Sequence, residues 1–240
     1  MSVKWKMTGL IGSVLVIATV AVALAQPQAA ACATIEYRGL EEIAPGIFAT
    51  SDVPVDQRLD FGRLHAAAKR RIADAFGATR ASPVIVLGGT QALQHLFPGS
   101  GPYASTIYVP HRSCVVVGPK GHDVDILAHE ELHAEIHHRV GHWSRLTQIP
   151  TWFDEGLAMQ VDHRNRYVWA AQSGAVDSAS VRRWTSRAQF FSGDDAELTR
   201  HYAMAREEVR LWLQKVGHRN VYDFLQRIRL GNGFVEMYLE

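Results

Sequence analysis

A short stretch of the chain, His129-Glu130-Glu131-Leu132-His133, matches the pattern H-E-x-x-H. Side chains four residues apart lie on one face of a helix, so the imidazoles of His129 and His133 can reach the same metal ion. Glu130 lies about 100° further round the helix, where its carboxylate can take a proton from a water molecule beside the metal. With 12 His and 12 Glu among 240 residues, chance produces only about 0.03 such matches per chain. The motif therefore predicts a metal site, and the competing interpretation is a pair of buried histidines without a metal.

A catalytic zinc site needs a third protein ligand and leaves its fourth position open for water. Another His six residues after the second would serve, but that position is Arg139. A Glu on the following helix is the remaining solution, and Glu155 lies in a helix predicted over 151–161, facing inward among apolar residues. Burying its carboxylate there would be costly without a cation. Thr151 and Asp154 also match a capping box, which predicts that this helix begins at Thr151.

The segments HEELH and PTWFDEGLA together resemble the gluzincin zinc metallopeptidases, in particular the compact peptidase MA-like proteins. The resemblance covers residues 35–235, although its specific motifs lie within 129–158. It implies a zincin-like fold and one Zn²⁺ per chain, held by His129, His133 and Glu155, with Glu130 as general base and acid. The family also places a Tyr on a later helix to stabilise the oxyanion, and the segment HYAMA nominates Tyr202.

Some positions around these motifs leave alternatives open or depart from the family pattern. Tyr202 lies on the apolar stripe of its helix, so a plain core tyrosine is an alternative, and His201 is the neighbouring candidate for the oxyanion donor. Thermolysin-like gluzincins carry an Asp four residues after the Glu ligand, where this chain has Met159. A carboxylate that steadies a ligand His must then come from Asp154, Asp125 or Asp162. The G-x-M-E-N segment of zinc aminopeptidases is missing, which favours an endopeptidase or a narrow, unidentified substrate.

The elements that must position this site form an α+β pattern, with a small mixed sheet and helices first and a mostly helical half after it. The active-site cleft is expected between the two halves. In zincins an extended substrate pairs with an edge strand beside the metal helix, and 114–117 is the candidate strand. Periodicity predicts helices over 60–76, 123–140, 151–161, 181–191, 196–216 and 220–230, and strands over 83–87, 106–109 and 114–117.

Other polar residues near the motif carry weaker signals. On the helical projection Glu131 and His138 point away from the core. His137, His138 and His142 follow the motif, and a solvated polar face explains them better than a second metal site. Arg182, Arg183 and Arg187 form a basic cluster without interleaved aromatic residues, which is typical of an exposed helix face.

The N-terminal segment predicts export. Lys4 and Lys6 precede the uncharged apolar run 9–25, which ends in small residues, so residues 1–31 read as a signal peptide or N-terminal membrane anchor. Residues 32–240 then form one domain in the periplasm or outside the cell, touching a membrane only through that segment if it stays uncleaved. In an oxidising compartment Cys32 and Cys114 could pair, or they could be two buried thiols that never meet.

Composition and chemistry together predict an exported zinc metallopeptidase that acts on a peptide or protein substrate. The chain has 25 Lys and Arg against 24 Asp and Glu, so no overall charge attracts nucleic acid. The alternative from another class is a non-catalytic exported domain with a structural zinc that binds an envelope protein or component. A zinc hydrolase acting on a non-peptide amide is a third reading.

Overall fold

The computed structural model describes residues 26–167 and 177–239. The apolar run on which the predicted signal peptide or anchor depends lies outside the described residues. The predicted α+β class is confirmed: one small mixed sheet occupies the first half of the chain, and helices dominate the second. In the described part of the chain the sheet has five strands, which are β1 (Glu41–Ala44), β2 (Ile47–Ala49), β3 (Val84–Leu87), β4 (Ala104–Val109) and β5 (Arg112–Val117).

The strands lie in the order β1-β2-β3-β5-β4. The three inner strands are parallel to one another, and each edge strand is antiparallel to its neighbour. Alternate residues of β3 and β5 pack into two different apolar clusters on the two faces of the sheet. Because both faces are covered, these strands read as continuous apolar runs rather than as alternating ones. The strands β1 and β2 are short, with four and three residues, and the sequence did not predict bounds for them.

The helices that pack on the sheet differ between its two faces. One face carries the large core, to which the long helices contribute, and the other is covered by two short helices. The helices are α1 (Pro27–Ala33), α2 (Val55–Phe76), α3 (Thr90–Leu96), α4 (Val124–Val140), α5 (His142–Gln148), α6 (Thr151–Ala158), α7 (Arg187–Phe190), α8 (Asp195–Val216), α9 (Val221–Arg229) and α10 (Phe234–Leu239).

Most predicted helices are found within a few residues of their expected bounds, and the helix predicted over 181–191 is wrong. That stretch contains a 3₁₀ helix, Ser178–Arg183, and the separate short helix α7, which begins at a capping box on Ser186. Arg182, Arg183 and Arg187 are all exposed as predicted, but they do not share one helix face.

Helix α6 is held very close to α8 by a glycine. A Cβ atom added at Gly156 would lie 2.4 Å from the carbonyl oxygen of Ala205. No side chain fits in that space, so the backbones of the two helices approach each other only because Gly156 has none. This contact fixes the position of Glu155, the preceding residue, relative to Tyr202, which lies one turn earlier on α8.

Cys32 of α1 and Cys114 of β5 form a disulfide bond, with their Cα atoms 5.8 Å apart. The bond lies inside the smaller apolar cluster, where both residues are fully buried. Of the two readings of this cysteine pair, the paired one is therefore confirmed. The predicted boundary between residues 31 and 32 falls inside α1. Within residues 26–167 and 177–239, no helix is both long and apolar enough to cross a membrane.

Candidate metal centre

His129, His133 and Glu155 converge on one buried point, as predicted. Helix α4 begins where the Asp123 side chain accepts hydrogen bonds from the backbone amides of Asp125 and Ile126. One turn further, the two imidazoles project from the same face, and α6 supplies Glu155 from the opposite side. The exposed fractions of His129, His133 and Glu155 are only 5%, 4% and 6%. These three residues could together hold a metal ion.

The spacing of the three ligand atoms fits a tetrahedral ion. The two Nε2 atoms of His129 and His133 lie 3.1 Å apart, and Glu155 Oε2 lies 3.3 and 3.4 Å from them. Metal–ligand bonds of 2.0–2.2 Å in a tetrahedral zinc site place neighbouring ligand atoms about 3.3–3.6 Å apart. Glu155 Oε2 is also buried with no hydrogen-bond partner among the described residues. A buried carboxylate oxygen in that position needs a cation.

Asp154 orients His133. Its Oδ1 atom lies 3.0 Å from His133 Nδ1, and its Oδ2 atom is paired with the guanidinium group of Arg145. The bond to Nδ1 directs the other ring nitrogen, Nε2, toward the metal position. The capping box predicted for Thr151 and Asp154 is wrong, because Pro150 is the N-cap residue and no side chain caps this helix. The Asp154 carboxylate instead contacts two cationic partners in the interior, His133 and Arg145.

Asp162 faces His129 at ion-pair distance. Its Oδ2 atom lies 3.5 Å from His129 Nδ1, which has no hydrogen-bond partner among the described residues, and Arg164 pairs with the same carboxylate. Asp125, the third carboxylate considered from the sequence, forms an ion pair with Arg71 and accepts a hydrogen bond from the backbone amide of His163. Two of the three candidates therefore face a ligand histidine, one for each.

The carboxylates around the imidazoles govern their protonation when no metal is bound. Burial lowers the pKa of His129, but Asp162 and Glu155 outweigh burial and raise that pKa to about 9. The pKa of His133 is likewise raised well above its ordinary value, because Asp154 and Glu155 outweigh the effect of burial. The positive imidazoles in turn hold the pKa of Glu155 below its ordinary range, although burial opposes this. The site thus stabilises positive charge, and a metal ion would displace protons on binding.

Glu130 and Tyr202 both line a cavity of about 200 Å³ that opens onto the three ligand residues. Glu130 is only half-buried, and Thr106 Oγ1 lies 2.8 Å from its Oε2 atom. The Tyr202 ring packs edge-on against His129, with ring centroids 6.3 Å apart. His201 is turned the other way, with its Nδ1 atom 2.8 Å from the Phe190 carbonyl oxygen. Of the two neighbours, Tyr202 is the one at the cavity.

The edge strand beside the metal helix is β4, so the candidate 114–117 is wrong. Strand β5 contains those residues and is paired on both sides, by β3 and by β4. No strand of the described residues pairs with the outer edge of β4, and Thr106 on β4 is the residue whose hydroxyl group reaches Glu130. Strand order depends on pairings between distant parts of the chain, which a single run of Val residues does not reveal.

The sequence did not predict two further residues of the site, Arg145 and Tyr108. Arg145 lies between Asp154 and the ring of Tyr108, with its guanidinium carbon 3.6 Å from the ring centroid. Neither residue stands in a motif, so no sequence signal singles them out.

Two expectations about polar residues on α4 are also wrong. Glu131 is buried and lies 3.2 Å from His65 Nε2, rather than facing solvent. His137 is buried as well, whereas His138 is exposed as expected. Helix α2 covers one flank of α4 and the β4–β5 hairpin covers another, so α4 has a wider buried surface than its apolar stripe indicates.

No protein-family model, no curated protein and no solved structure matches this chain. The resemblance to gluzincins stays a prediction from the motifs in residues 129–158.

Proposed function

We propose that the chain is an exported zinc metallopeptidase with a zincin-like fold, whose cleft lies between the sheet and the helical half. The observation that carries this proposal is the triangle of His129, His133 and Glu155, with Glu130 beside it in an open cavity. Three protein ligands and an accessible fourth side are the arrangement of a catalytic zinc site. The motif H-E-x-x-H supplies the base at the place where such chemistry needs it.

Bound Zn²⁺ would supply Lewis acidity, polarising the substrate carbonyl and acidifying water. Glu130 takes a proton from a water molecule as the water oxygen adds to the substrate carbonyl carbon, and it delivers that proton to the amine nitrogen as the C–N bond breaks. Thr106 holds the Glu130 carboxylate on the cavity side of α4. Tyr202 donates a hydrogen bond from its hydroxyl group to the developing oxyanion and keeps its proton. Asp154 and Asp162 keep the two ligand imidazoles in the orientation that points Nε2 inward.

The outer edge of β4, with which no strand in residues 26–167 and 177–239 pairs, is suited to an extended peptide, because its backbone groups can form hydrogen bonds with a substrate strand. A second cavity of about 600 Å³ adjoins the first and shares Arg145 and Arg187 with it. Trp184 and Phe234 contribute to its apolar wall. It has room for substrate side chains on one side of the scissile bond, which agrees with an endopeptidase.

The disulfide bond between Cys32 and Cys114 supports export, since such bonds persist in oxidising compartments. It joins residues 82 positions apart, next to the segment that precedes the domain. The apolar run 9–25 supplies the targeting signal in this proposal.

Replacing Glu130 with Gln tests the mechanism. We expect the variant to bind zinc as the wild-type chain does and to lose hydrolysis of a peptide library, because the amide cannot accept the proton. Glu131→Gln is the matched control, since Glu131 faces His65 and not the cavity. A zinc-loaded Glu130→Gln variant with full activity would refute the mechanism. Zinc binding by the wild-type chain without any chelator-sensitive cleavage would favour the non-catalytic binding domain.

A further inference from the structure

A second pair of histidines lies at the other end of the metal helix. A cavity of about 290 Å³ is found where α4 ends against the turn between β4 and β5. His137, near the end of α4, and His142, at the start of α5, both line it. His111 in the turn and the exposed His138 contribute to the same wall. The mechanism proposed above uses none of these residues.

The hydrogen bond of His137 determines which of its ring nitrogens carries a lone pair. Its Nε2 atom lies 3.1 Å from the carbonyl oxygen of Val109. A carbonyl oxygen only accepts, so Nε2 carries the hydrogen and Nδ1 is left with a free lone pair. The His137 side chain is 6% exposed, and its Nδ1 atom has no hydrogen-bond partner in the described part of the chain. Such a backbone bond on one nitrogen is the usual support for a metal ligand on the other.

The second imidazole is arranged to share an ion with the first. His142 Nδ1 is also buried and unpartnered among the described residues. The two rings are nearly perpendicular, at 84°, with their centroids 5.5 Å apart. The pair His129 and His133 shows a similar arrangement, at 81° and 4.8 Å. Two imidazoles on one tetrahedral ion place their ring centroids about 5 Å apart.

We propose that His137 and His142 bind a second transition-metal ion, with water completing the coordination. Imidazole ligands suit Zn²⁺, Ni²⁺ and Cu²⁺, and Cu²⁺ binds most strongly in that series. Burial and the charge of Arg145 lower the pKa of His137 to about 4, so this ligand is neutral at physiological pH. Arg112 and Arg229 also line the cavity, and their positive charge makes this site weaker than the first.

An ion in this position would connect two helices that the first site depends on. His142 and Arg145 lie one turn apart on α5, and Arg145 pairs with Asp154, which orients His133. Tyr108 lies beneath Arg145 and also contacts the ring of His137. The second ion would therefore fix α5 against α4 and β4, and would hold Arg145 in place.

The test is titration of Zn²⁺ into the metal-stripped full chain, followed by calorimetry and metal analysis. We expect two zinc ions per wild-type chain, one tight and one weaker. His142→Gln should lower the affinity for the weaker ion and leave the tight ion bound. Loss of an outer partner alone costs about 10–100-fold in metal affinity, and loss of a ligand should cost at least as much. His133→Gln should lose the tight ion and keep the weaker one, whose Cu²⁺ form should show two nitrogen couplings in its electron paramagnetic resonance spectrum.

The matched control is His95→Gln on the exposed face of α3, which should bind both ions. One zinc ion per wild-type chain, or a second ion unaffected by both His142→Gln and His137→Gln, would overturn the inference. Failure of the proposed peptidase function would give a different result. The wild-type chain would then show no hydrolysis, while His133→Gln would still bind the weaker ion.

Discussion

Replacing Asp154 with Asn separates the two roles that this residue could have. In the structure its carboxylate bridges His133 Nδ1, at 3.0 Å, and the guanidinium group of Arg145. Asn keeps the shape of the side chain and removes its charge. If Asp154 orients a metal ligand, zinc affinity must fall; if it only capped its helix, zinc affinity would stay unchanged.

The expected magnitudes follow from these two contacts. Loss of a carboxylate behind a ligand histidine costs about 10–100-fold in metal affinity, which corresponds to about 1.4–2.7 kcal/mol of binding free energy. The variant also leaves Arg145, whose side chain is only 10% exposed, without its charged partner. Breaking a buried ion pair from one side costs about 3–5 kcal/mol of folding stability. We expect a loss of about 3 kcal/mol, at the lower end of that range, because the amide oxygen of the introduced Asn can still accept a hydrogen bond and the guanidinium group keeps its contact with Tyr108.

Two assays measure these effects separately. Competition with a chromophoric zinc chelator gives the affinity, and urea unfolding of the metal-free protein gives the stability. Adding Arg145→Met to Asp154→Asn should recover much of the stability without restoring zinc affinity, since it removes the unpaired charge and not the lost orientation. Thr151→Ala is the control for capping and should cost little, because Thr151 does not cap α6. Unchanged zinc affinity in Asp154→Asn, together with a stability loss of about 1 kcal/mol in Thr151→Ala, would refute the reasoning.

Two further predictions concern packing and pH. Gly156→Ala should destabilise the protein by about 1–3 kcal/mol, since its methyl group would meet the Ala205 carbonyl oxygen at 2.4 Å. Gly62→Ala, at an exposed position of helix α2, has open space and should be neutral or stabilising by up to about 1 kcal/mol. Equal effects of the two substitutions in urea unfolding would contradict the close contact between helices α6 and α8. The pKa of His129 rises on folding from an unfolded value of about 6.5 to about 9. The contribution of His129 to the free energy of unfolding is therefore full below about pH 6.5 and is lost as the pH rises through about 9. The unfolding free energy of the metal-free protein should fall between about pH 7 and 9.5. That of the zinc-loaded protein should change less, because its imidazoles are already deprotonated. Parallel pH profiles of the two forms would show that the carboxylates do not control the protonation of these histidines.

The parts of the site that were predictable from sequence are those set by local periodicity. His129 and His133 share a face because they are four residues apart on one helix, and no other part of the chain is needed to see it. Glu155 required one further step, the burial of an acid among apolar residues. Both steps use information within 27 consecutive residues, from His129 to Glu155.

What escaped prediction depends on contacts between distant segments. Asp154 fitted a capping box, which is a local pattern, but in the folded protein its two carboxylate oxygens bind His133 and Arg145. The exposed edge of the sheet could not be assigned either, because strand order follows from pairings across the chain. His137 was expected in solvent and is buried, since the Val109 carbonyl oxygen at the end of β4 supplies a partner that satisfies its Nε2 atom.

The choice between a catalytic and a structural metal site turns on Glu130. A structural zinc site closes its coordination with a fourth protein ligand, and Glu130 is an acidic residue that lines the cavity together with the three ligand residues. Its carboxylate instead accepts a hydrogen bond from Thr106, a residue of the neighbouring edge strand, and lines the cavity with Tyr202. In the described part of the chain, the group of ligand atoms close enough to share an ion contains Glu155 and not Glu130, and the cavity opens onto the three residues of that group. A half-buried carboxylate held beside an open position suits proton transfer better than it suits metal retention, which is the physical reason for preferring a hydrolase.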